Sequence, residues 1–407
     1  MKGIPRMQLN LRPNFAVTLL MLALAFGTLA YGAMSPALAS RSGDSSRALA
    51  QGSWCFAVSG DSRDCGDLIM PKIAHAIADN SKQSPVEFYW HLGDFRRIFD
   101  IDCDIAKRID PAFDCVHRGA TKLTKDQMND YLTMAWNDFI EHQVNSFGST
   151  EVFLGIGNHE LLGGRTRDDF RKQFQKWLTE EPIHGQRIAD SAKGLVGDEG
   201  DTYYHFVKNG VDFIYLDNAD AKSFSASQVL WLSQLLRLDA QDKSIKAIVV
   251  GMHEALPYSK SRNHAMDATC QGICSGQEVY DLLFRAQGLS KPDDQRKHVY
   301  VFCSHAHYYQ ENIFDTPEHQ GQVLTGWLAG TAGAEQYSDV IRYGYLQVEV
   351  GPDGTINPHF VDVTRDMPPA ASGPGATELT DFCFQNNKLG HALEGKPKVD
   401  CACGATK

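Results

Sequence analysis

The sequence lacks an excess of positive charge and lacks the cysteine spacing of a zinc finger. Its 407 residues include 39 Lys and Arg against 50 Asp and Glu, a formal net charge of -11, which excludes a broad basic surface for nucleic acid. No CxxC pair is present, so a structural zinc cluster is disfavoured. No internal repeat is visible, and 43% hydrophobic and 22% charged residues are typical of a globular protein with one large domain or two smaller ones.

The first 39 residues have the pattern of an export signal. An apolar run over 15–33 follows several basic residues, and Ala37 and Ala39 stand at the small-residue positions of a cleavage site, which makes Ser40 the new terminus. The alternative is a membrane anchor that stays attached, because about 20 apolar residues span a bilayer. Both alternatives predict export of the remaining chain, to the periplasm or the medium, with membrane contact only if the segment is not cleaved.

The ten cysteines agree with export, because an even number in an exported chain predicts disulfides. Spacing does not determine how they connect. Cys303 lies inside an apolar run and is expected to be a buried free thiol. The others suggest local pairs, namely Cys55 with Cys65, Cys103 with Cys115, Cys270 with Cys274, and Cys383 with Cys401 or Cys403.

After a polar lead-in over 40–53, the chain alternates between apolar runs and helical patterns up to residue 365. Two hairpins are predicted, one turning at Asn209-Gly210 and one near Asp353-Gly354. Short runs that are apolar almost throughout predict strands buried on both faces, and they are WCFAVS, VEFYWHL, VFLGI, KAIVVG and VYVFC. Together these patterns predict an α/β fold.

Two longer segments interrupt this order. Residues 95–151 contain a helical pattern that begins at a capping box of Thr124 and Gln127, and we expect this insert to lie near the site as a lid. Residues 366–407 carry three cysteines and are expected to form a tail tied to the domain by a disulfide. The basic side chains of the insert either attract an anion or face solvent, and they are Arg96, Arg97, Lys107, Arg108 and Arg118.

Potential metal ligands follow five of the predicted strands in succession. Glycine often comes first, and it lets the chain turn sharply where a strand ends. Because ligands gather at the carboxyl edge of an α/β sheet, we expect these side chains to lie together. They are Asp61, Asp94, Asn158, His159, His253, His305 and His307.

The ligand types at these positions indicate divalent metal ions. Carboxylates, an amide oxygen and imidazoles suit zinc, manganese or iron, and no set of thiolates accompanies them. A carboxylate shared by two ions holds them about 3.5–4 Å apart, which suits the attacking and leaving oxygens of a phosphoryl displacement. A metal-bound water that loses its proton near neutral pH would then attack phosphorus.

Five motifs resemble those of the calcineurin-like metallophosphoesterase superfamily over roughly residues 54–363. They are Gly60-Asp61, Gly93-Asp94, GNHE at 157–160, GMHE at 251–254 and SHAH at 304–307. The resemblance implies an αββα sandwich, in which helices flank two mixed β-sheets, with the helical insert 95–151 inside a domain over 54–365. It also implies a metal-dependent phosphoric ester hydrolase, but it says little about the substrate.

The same resemblance implies a role for each residue at the strand ends. Asp94 would bridge two metal ions. Asn158, His253 and His305 would complete one metal site, and Asp61 and His307 would belong to the other. His159 would bind no metal, but would contact the phosphate or protonate the leaving oxygen, with Glu160 orienting its imidazole.

The first motif departs from the family pattern. Its commonest form is Asp-x-His, whereas this chain has Asp61-Ser62-Arg63, and an arginine has no lone pair for a metal. The purple acid phosphatase branch also lacks this histidine and has a tyrosine three residues beyond the bridging carboxylate. Here that position is Arg97, so the ferric tyrosinate site and its colour are not expected. Ser304, where the family usually has glycine, is a milder change.

Arg63 leaves three alternatives open for the first site. It could grip the substrate phosphate beside two metal ions, it could replace one metal ion electrostatically, or the site could have decayed into a binding site. One or two ions of manganese, zinc or iron are therefore expected.

The sequence thus predicts an exported metal-dependent phosphoesterase that hydrolyses a small-molecule phosphate ester by a metal-activated water, with phosphomonoesters favoured by analogy with purple-type relatives. A phosphodiesterase is the closest alternative, and a non-catalytic binding protein on a degraded phosphoesterase scaffold is another. The presence of His159, for which the resemblance implies a role other than metal binding, favours an enzyme over a binding protein. No nucleic acid is expected as a partner, and no protein partner is inferred.

Overall fold

The computed structural model describes residues 51–81, 84–97, 102–114, 121–195, 201–220, 223–261, 263–338, 340–365 and 376–388, and the positions 399, 401 and 403. The predicted export segment over 1–39 and most of the lead-in over 40–53 lie outside these residues. The description that follows concerns the unit formed by residues 46–407. None of its described helices is both long and apolar enough to span a bilayer.

The described residues form eleven strands and nine α-helices. The strands are β1 (Trp54–Ser59), β2 (Val86–His91), β3 (Glu151–Leu154), β4 (Tyr204–Lys208), β5 (Val211–Leu216), β6 (Ala247–Met252), β7 (His298–Cys303), β8 (Tyr309–Glu311), β9 (Thr325–Ala329), β10 (Gly344–Val350) and β11 (Ile356–Asp362). The helices are α1 (Gly66–Asn80), α2 (Cys103–Ile109), α3 (Lys125–His142), α4 (Arg167–Gln173), α5 (Gln175–Thr179), α6 (Ile183–Ala192), α7 (Ala226–Gln241), α8 (Cys270–Ala286) and α9 (Ala376–Asp381).

The five apolar runs form β1, β2, β3, β6 and β7, and both predicted hairpins are confirmed. The turn between β4 and β5 has positive φ angles at Asn209 (51°) and Gly210 (78°), which the twist of a two-residue hairpin favours. The β10–β11 hairpin turns at Gly354, where φ is 84°.

Two mixed sheets contain these strands. The first has the order β11-β10-β1-β2-β3, with β1, β2 and β3 parallel and β10 antiparallel to both of its neighbours. The second has the order β4-β5-β6-β7-β9-β8, with β5, β6, β7 and β9 parallel and antiparallel strands at both edges. The prediction of two mixed sheets is confirmed.

The sheets pack face to face through aromatic side chains. Phe56 on β1 lies 5.1 Å from Phe213 on β5 and 5.9 Å from Phe302 on β7, measured between ring centroids, and both contacts are edge to face. Ile69 and Ile73 of α1 cover the outer face of the first sheet, while α7 and α8 cover the outer face of the second. The core therefore has the four layers of the predicted αββα sandwich.

The ends of the central strands from both sheets meet at one edge. The backbone N–H of Gly60, just after β1, donates to the carbonyl of Ala329 at the end of β9, at 2.9 Å. Leu92, just after β2, offers its carbonyl to His253, just after β6, at 3.0 Å. Residues that follow strands of different sheets are thereby brought into contact.

The insert forms α2 and α3, and the capping box of Thr124 and Gln127 is present at the start of α3. The buried residues of α3 recur at helical spacing and include Tyr131, Ala135 and Phe139. The insert lies close to the strand ends through Asp102. Its carboxylate accepts the backbone N–H groups of Asp64 and Arg97, at 2.6 and 2.9 Å, and the hydroxyl of Tyr131, at 2.7 Å.

The basic side chains that the structure describes in the insert bind carboxylates. Arg96 is buried and pairs with Asp67 and Asp138, and Arg108 also pairs with Asp138. Lys107 lies 2.5 Å from Glu378. Arg97 is described below, and Arg118 lies outside the described residues. The charges of Arg96, Lys107 and Arg108 are therefore compensated by carboxylates.

The predicted local disulfide pairs are wrong where the structure describes them. The bonds are Cys65–Cys383, Cys270–Cys401 and Cys274–Cys403, and Cys55 is a buried free thiol, as is Cys303, which was expected. Residues one helical turn apart share a face, so Cys270 and Cys274 on α8 both meet the tail instead of each other. For the pair of Cys103 with Cys115, Cys115 lies outside the described residues. The three bonds tie the tail to the domain.

We expect the Cys65–Cys383 bond to contribute substantially to stability. The variant Cys383→Ala should lower the free energy of unfolding by about 2–5 kcal/mol, because a bond between residues 318 positions apart restricts the unfolded chain. Denaturant unfolding with and without reductant measures this difference. The control Cys55→Ala also removes a buried cysteine but no disulfide, and its effect should persist in reductant. If reductant leaves the difference in unfolding free energy between the wild type and Cys383→Ala unchanged, the Cys65–Cys383 bond is contradicted.

Candidate metal centre

Three of the predicted ligands have a left-handed backbone. Asp61, Asp94 and His305 have φ angles of 60°, 62° and 58°, which cost a residue with a side chain about 1–2 kcal/mol. Each follows a strand end by two or three residues. The backbone N–H of His305 donates to Asp61 Oδ2 at 2.7 Å, and this hydrogen bond joins the first motif to the last. Strain of this kind is concentrated at functional sites.

The glycines of the second and third motifs allow two loops to touch. A Cβ on Gly93, where φ is 99°, would lie 2.5 Å from the backbone nitrogen of Gly157. A Cβ on Gly157 would lie 2.4 Å from Asp94 Oδ1. No larger residue fits at either position, and this contact brings the GNHE motif against the Asp94 carboxylate.

Four side chains converge on one point beyond the strand ends, namely those of Asp94, Asn158, His253 and His305. His253 Nε2 lies 2.9 Å from Asn158 Oδ1 and 3.1 Å from His305 Nδ1. It lies 3.3 Å from Asp94 Oδ1. Ligands about 2.1 Å from a shared cation are separated by about 3.0–3.4 Å at octahedral or tetrahedral angles, so these spacings fit one metal ion.

The hydrogen bond of His253 Nδ1 directs Nε2 to the centre of this group. Nδ1 lies 3.0 Å from the carbonyl of Leu92, which can only accept, so Nδ1 carries a proton. In the neutral ring Nε2 is then an acceptor that faces three other acceptors. Burial disfavours the charged imidazolium, but the Asp94 carboxylate raises the pKa of His253 to about 10. The surroundings of Nε2 therefore attract positive charge, and the N₂O₂ donor set suits zinc, manganese or iron.

A second group consists of Asp61, Asp94 and His307, whose ligand atoms lie within 4.8 Å of one another. His307 Nε2 lies 3.3 Å from Asp61 Oδ1. Within the described residues, Asp61 Oδ1 and Asp94 Oδ2 are buried without a hydrogen-bond partner. By composition alone this group could also hold a metal ion, and it shares Asp94 with the first.

The guanidinium of Arg63 lies within this second group. Nη2 donates to His307 Nε2 at 2.8 Å, and Nη1 donates to His159 Nε2. Nη1 is also 3.6 Å from Asp94 Oδ2. The second group therefore does not fit a metal ion as it stands, because a permanent cation already binds its histidine.

All eight residues predicted for the site are brought together at this edge.

His159 and Glu160 have different surroundings from those expected. Burial and the adjacent Arg63 charge lower the pKa of His159 to about 3, so its imidazole is neutral. The expectation that Glu160 orients this ring is wrong. Its carboxylate instead accepts the backbone N–H groups of Asp94 and Gly157, both at 2.8 Å, and of Phe95 at 2.9 Å. Glu160 thus fastens the third motif to the second.

Several residues near the site were missed in the sequence. Tyr337 stacks on His307, with ring centroids 4.4 Å apart, and on His264, at 4.6 Å. His264 also lies 5.1 Å from His305. Both residues lie in loops without periodicity, so no local pattern indicates them. Glu254, whose Oε1 is 4.0 Å from His305 Nε2, directly follows a predicted ligand and could have been found.

Arg97, three residues after Asp94, supports the site from outside. Its guanidinium lies 3.0 Å from Asp64 and 3.4 Å from Glu335. Asp64 Oδ2 also accepts the backbone N–H of Glu335, at 2.9 Å. Arg97 therefore joins the turn after Asp61 to the loop whose carbonyl binds His307.

A third group of possible ligands, Asp67, Asp138 and His142, lies outside this site. Arg96 pairs with both carboxylates and Arg108 with one of them. These two cations compensate the negative charge, so the group is an ion-pair network between α1 and the insert.

No protein-family model matches the chain, and no curated protein is significantly similar to it. A purple acid phosphatase from yellow lupin (Lupinus luteus) seeds is similar in structure, with a TM-score of 0.48 and 11% identity over 80% of this chain and 53% of its own. PhoD has a TM-score of 0.45 and 13% identity over 78% and 69%. A hypothetical protein from Pyrococcus horikoshii has a TM-score of 0.36 and 11% identity over 82% and 99%. The chain spans about half the length of the lupin phosphatase.

The contact that Glu160 makes between the second and third motifs can be tested by Glu160→Gln. The amide of glutamine has one acceptor oxygen, so at least one of the three backbone N–H groups should lose its partner, at a cost of about 1–3 kcal/mol in the free energy of unfolding. Denaturant unfolding measures this cost. Glu141 is exposed on α3, and Glu141→Gln should change stability by less than about 0.5 kcal/mol. Equal stability of the two variants would contradict this structural role of Glu160.

Proposed function

We propose that this chain is a metal-dependent phosphoesterase that hydrolyses a small-molecule phosphate ester, with phosphomonoesters favoured. The observation that carries the proposal is the convergence of Asp94, Asn158 and His305 on His253 Nε2, directly beside Arg63. A metal site next to a guanidinium is suited to a tetrahedral oxyanion, because both attract oxygens that carry negative charge. The motifs that resemble the metallophosphoesterases support the same chemistry.

The proposed ligands of the metal ion are Asp94, Asn158, His253 and His305. When bound, the ion would supply a water that ionises near neutral pH and attacks phosphorus. Asp94 and His253 are fully buried, whereas Asn158 and His305 are partly exposed. Substrate and water would therefore reach the centre from the side of these two residues.

Arg63 is proposed to bind the phosphoryl oxygens. Its guanidinium stays charged at any physiological pH and presents donors in a planar fork that matches two oxygens of a phosphate. Its side chain is only 8% exposed, so a contact with phosphate would be shielded from water and strong. Arg63 would thus hold the ester next to the His253 group, with its phosphoryl oxygens in a fixed orientation.

His159 is proposed to contact the phosphate or to protonate the leaving oxygen. In the structure its Nε2 accepts an N–H from Arg63, so Nε2 can carry a proton only after Arg63 turns that N–H to another acceptor. A phosphoryl oxygen is such an acceptor. Substrate binding would therefore release His159 for proton transfer, which contributes about 10²–10⁴-fold in enzymes that use it.

The remaining parts of the proposal concern substrate class and location. The preference for phosphomonoesters comes from analogy with the branch that lacks the same histidine, and a diester remains the alternative that the assay decides. Export is supported by the three disulfides, because such bonds persist in oxidising compartments.

The test is hydrolysis of an aryl phosphate monoester and an aryl phosphate diester by the chain that begins at Ser40. The protein is loaded in turn with manganese, zinc and iron, with its disulfides intact. We expect metal-dependent turnover that is faster with the monoester. The variant His253→Ala should lose it, because it removes the central ligand.

The matched control is His298→Ala, since His298 is exposed at the start of β7 and should leave turnover unchanged. If the diester is turned over faster, the proposed substrate class changes to phosphodiesters, while the proposed metal-dependent hydrolysis stands. Equal turnover in wild type and His253→Ala, or none with any metal in folded protein, would contradict the proposed function.

A further inference from the structure

The position of Arg63 determines how many metal ions the site can take. His307 Nδ1 lies 2.7 Å from the carbonyl of Glu335, which only accepts, so Nδ1 carries the proton and Nε2 presents a lone pair. Arg63 Nη2 donates to that lone pair at 2.8 Å. A metal ion would need the same lone pair at about 2.0–2.1 Å. The guanidinium and a metal ion therefore exclude each other at His307.

The backbone fixes the point from which Arg63 enters the site. The N–H groups of Ser62 and Arg63 lie 3.1 and 3.4 Å from the carbonyl of Asp94. Two residues beyond Arg63, Cys65 is bonded to Cys383. The turn over 61–65 is thus attached both to the second motif and to the tail, and it directs the side chain inward.

The charges of the site are also satisfied by this arrangement. Asp61 and Asp94 are fully buried, and buried carboxylates require nearby positive charge. A divalent ion at the His253 group and the guanidinium of Arg63 together supply it. A second divalent ion would instead lie in contact with the positive charge of Arg63, which deprotonation cannot remove.

We propose that the chain binds a single metal ion, held by Asp94, Asn158, His253 and His305, and that the guanidinium of Arg63 takes the position of a second cation. This inference rests on the proposed function for the metal site but not on turnover. Asp94 then links a metal ion on one side to a guanidinium on the other.

In this arrangement Asp61 and His307 are positioning residues and not metal ligands. His307 accepts one N–H of Arg63 and so orients its fork. Asp61 Oδ2 accepts the backbone N–H of His305, which places the His305 ring beside His253. The phosphate would be bound by one metal ion and by Arg63, which supplies directional donors where a second metal ion would supply a point charge.

The stoichiometry of bound metal tests the proposal directly. The disulfide-intact chain is loaded with excess manganese, dialysed, and analysed for metal per chain by inductively coupled plasma mass spectrometry. We expect one ion per chain in the wild type and two in Arg63→His, which restores an imidazole at the third residue of the first motif. His253→Ala should bind none with comparable affinity.

Electron paramagnetic resonance gives an independent measurement that does not depend on turnover. The wild type should show the signal of isolated manganese, whereas Arg63→His should show exchange coupling between two ions that share Asp94. The matched control is Arg237→His, because Arg237 is exposed on α7 and should leave one isolated ion. This control detects binding to an added surface histidine.

Two ions in the wild type, or one ion in folded Arg63→His, would overturn the proposal. No ion in the wild type would overturn both this proposal and the metal site of the proposed function. One ion together with no hydrolysis of either ester would support the single-metal site while contradicting the proposed activity. If Arg63→His does not fold, the wild-type stoichiometry and its resonance signal still decide the question.

Discussion

The convergence of hydrogen-bond acceptors around His253 Nε2 is the constraint on which the rest of the site depends. Oxygens of Asp94 and Asn158 and a nitrogen of His305 all lie within 3.3 Å of this atom. Such an arrangement is repulsive unless a positive charge lies among the lone pairs. The sheet edge provides the geometry, since these residues follow strands of two different sheets and meet only when both sheets are packed.

Keeping these acceptors together has a visible structural cost. Asp61, Asp94 and His305 have left-handed backbones, and the loops of the second and third motifs approach so closely that Gly93 and Gly157 leave no room for a side chain. Glu160 binds backbone N–H groups from both loops. Together these features hold the side chains around His253 Nε2 in place before any ligand binds.

Much of the fold and site could be predicted because the signals are local. Each buried strand is a short apolar run, and each predicted ligand follows its strand within a few residues, so the edge of the sheet brings these side chains together. The disulfides could not be predicted, since Cys65 and Cys383 are distant in sequence and become neighbours only through tertiary packing. The contact of Arg63 with His307 could not be predicted either, because the direction of a long side chain depends on which acceptors surround it.

Anomalous diffraction from crystals of the manganese-loaded chain measures directly whether a metal ion lies at the His253 group. We expect an anomalous peak bounded by Asp94, Asn158, His253 and His305, with the Arg63 guanidinium in the density beside His307. The absence of a peak at that position in crystals shown to contain manganese would contradict the claim that these four side chains form a metal centre.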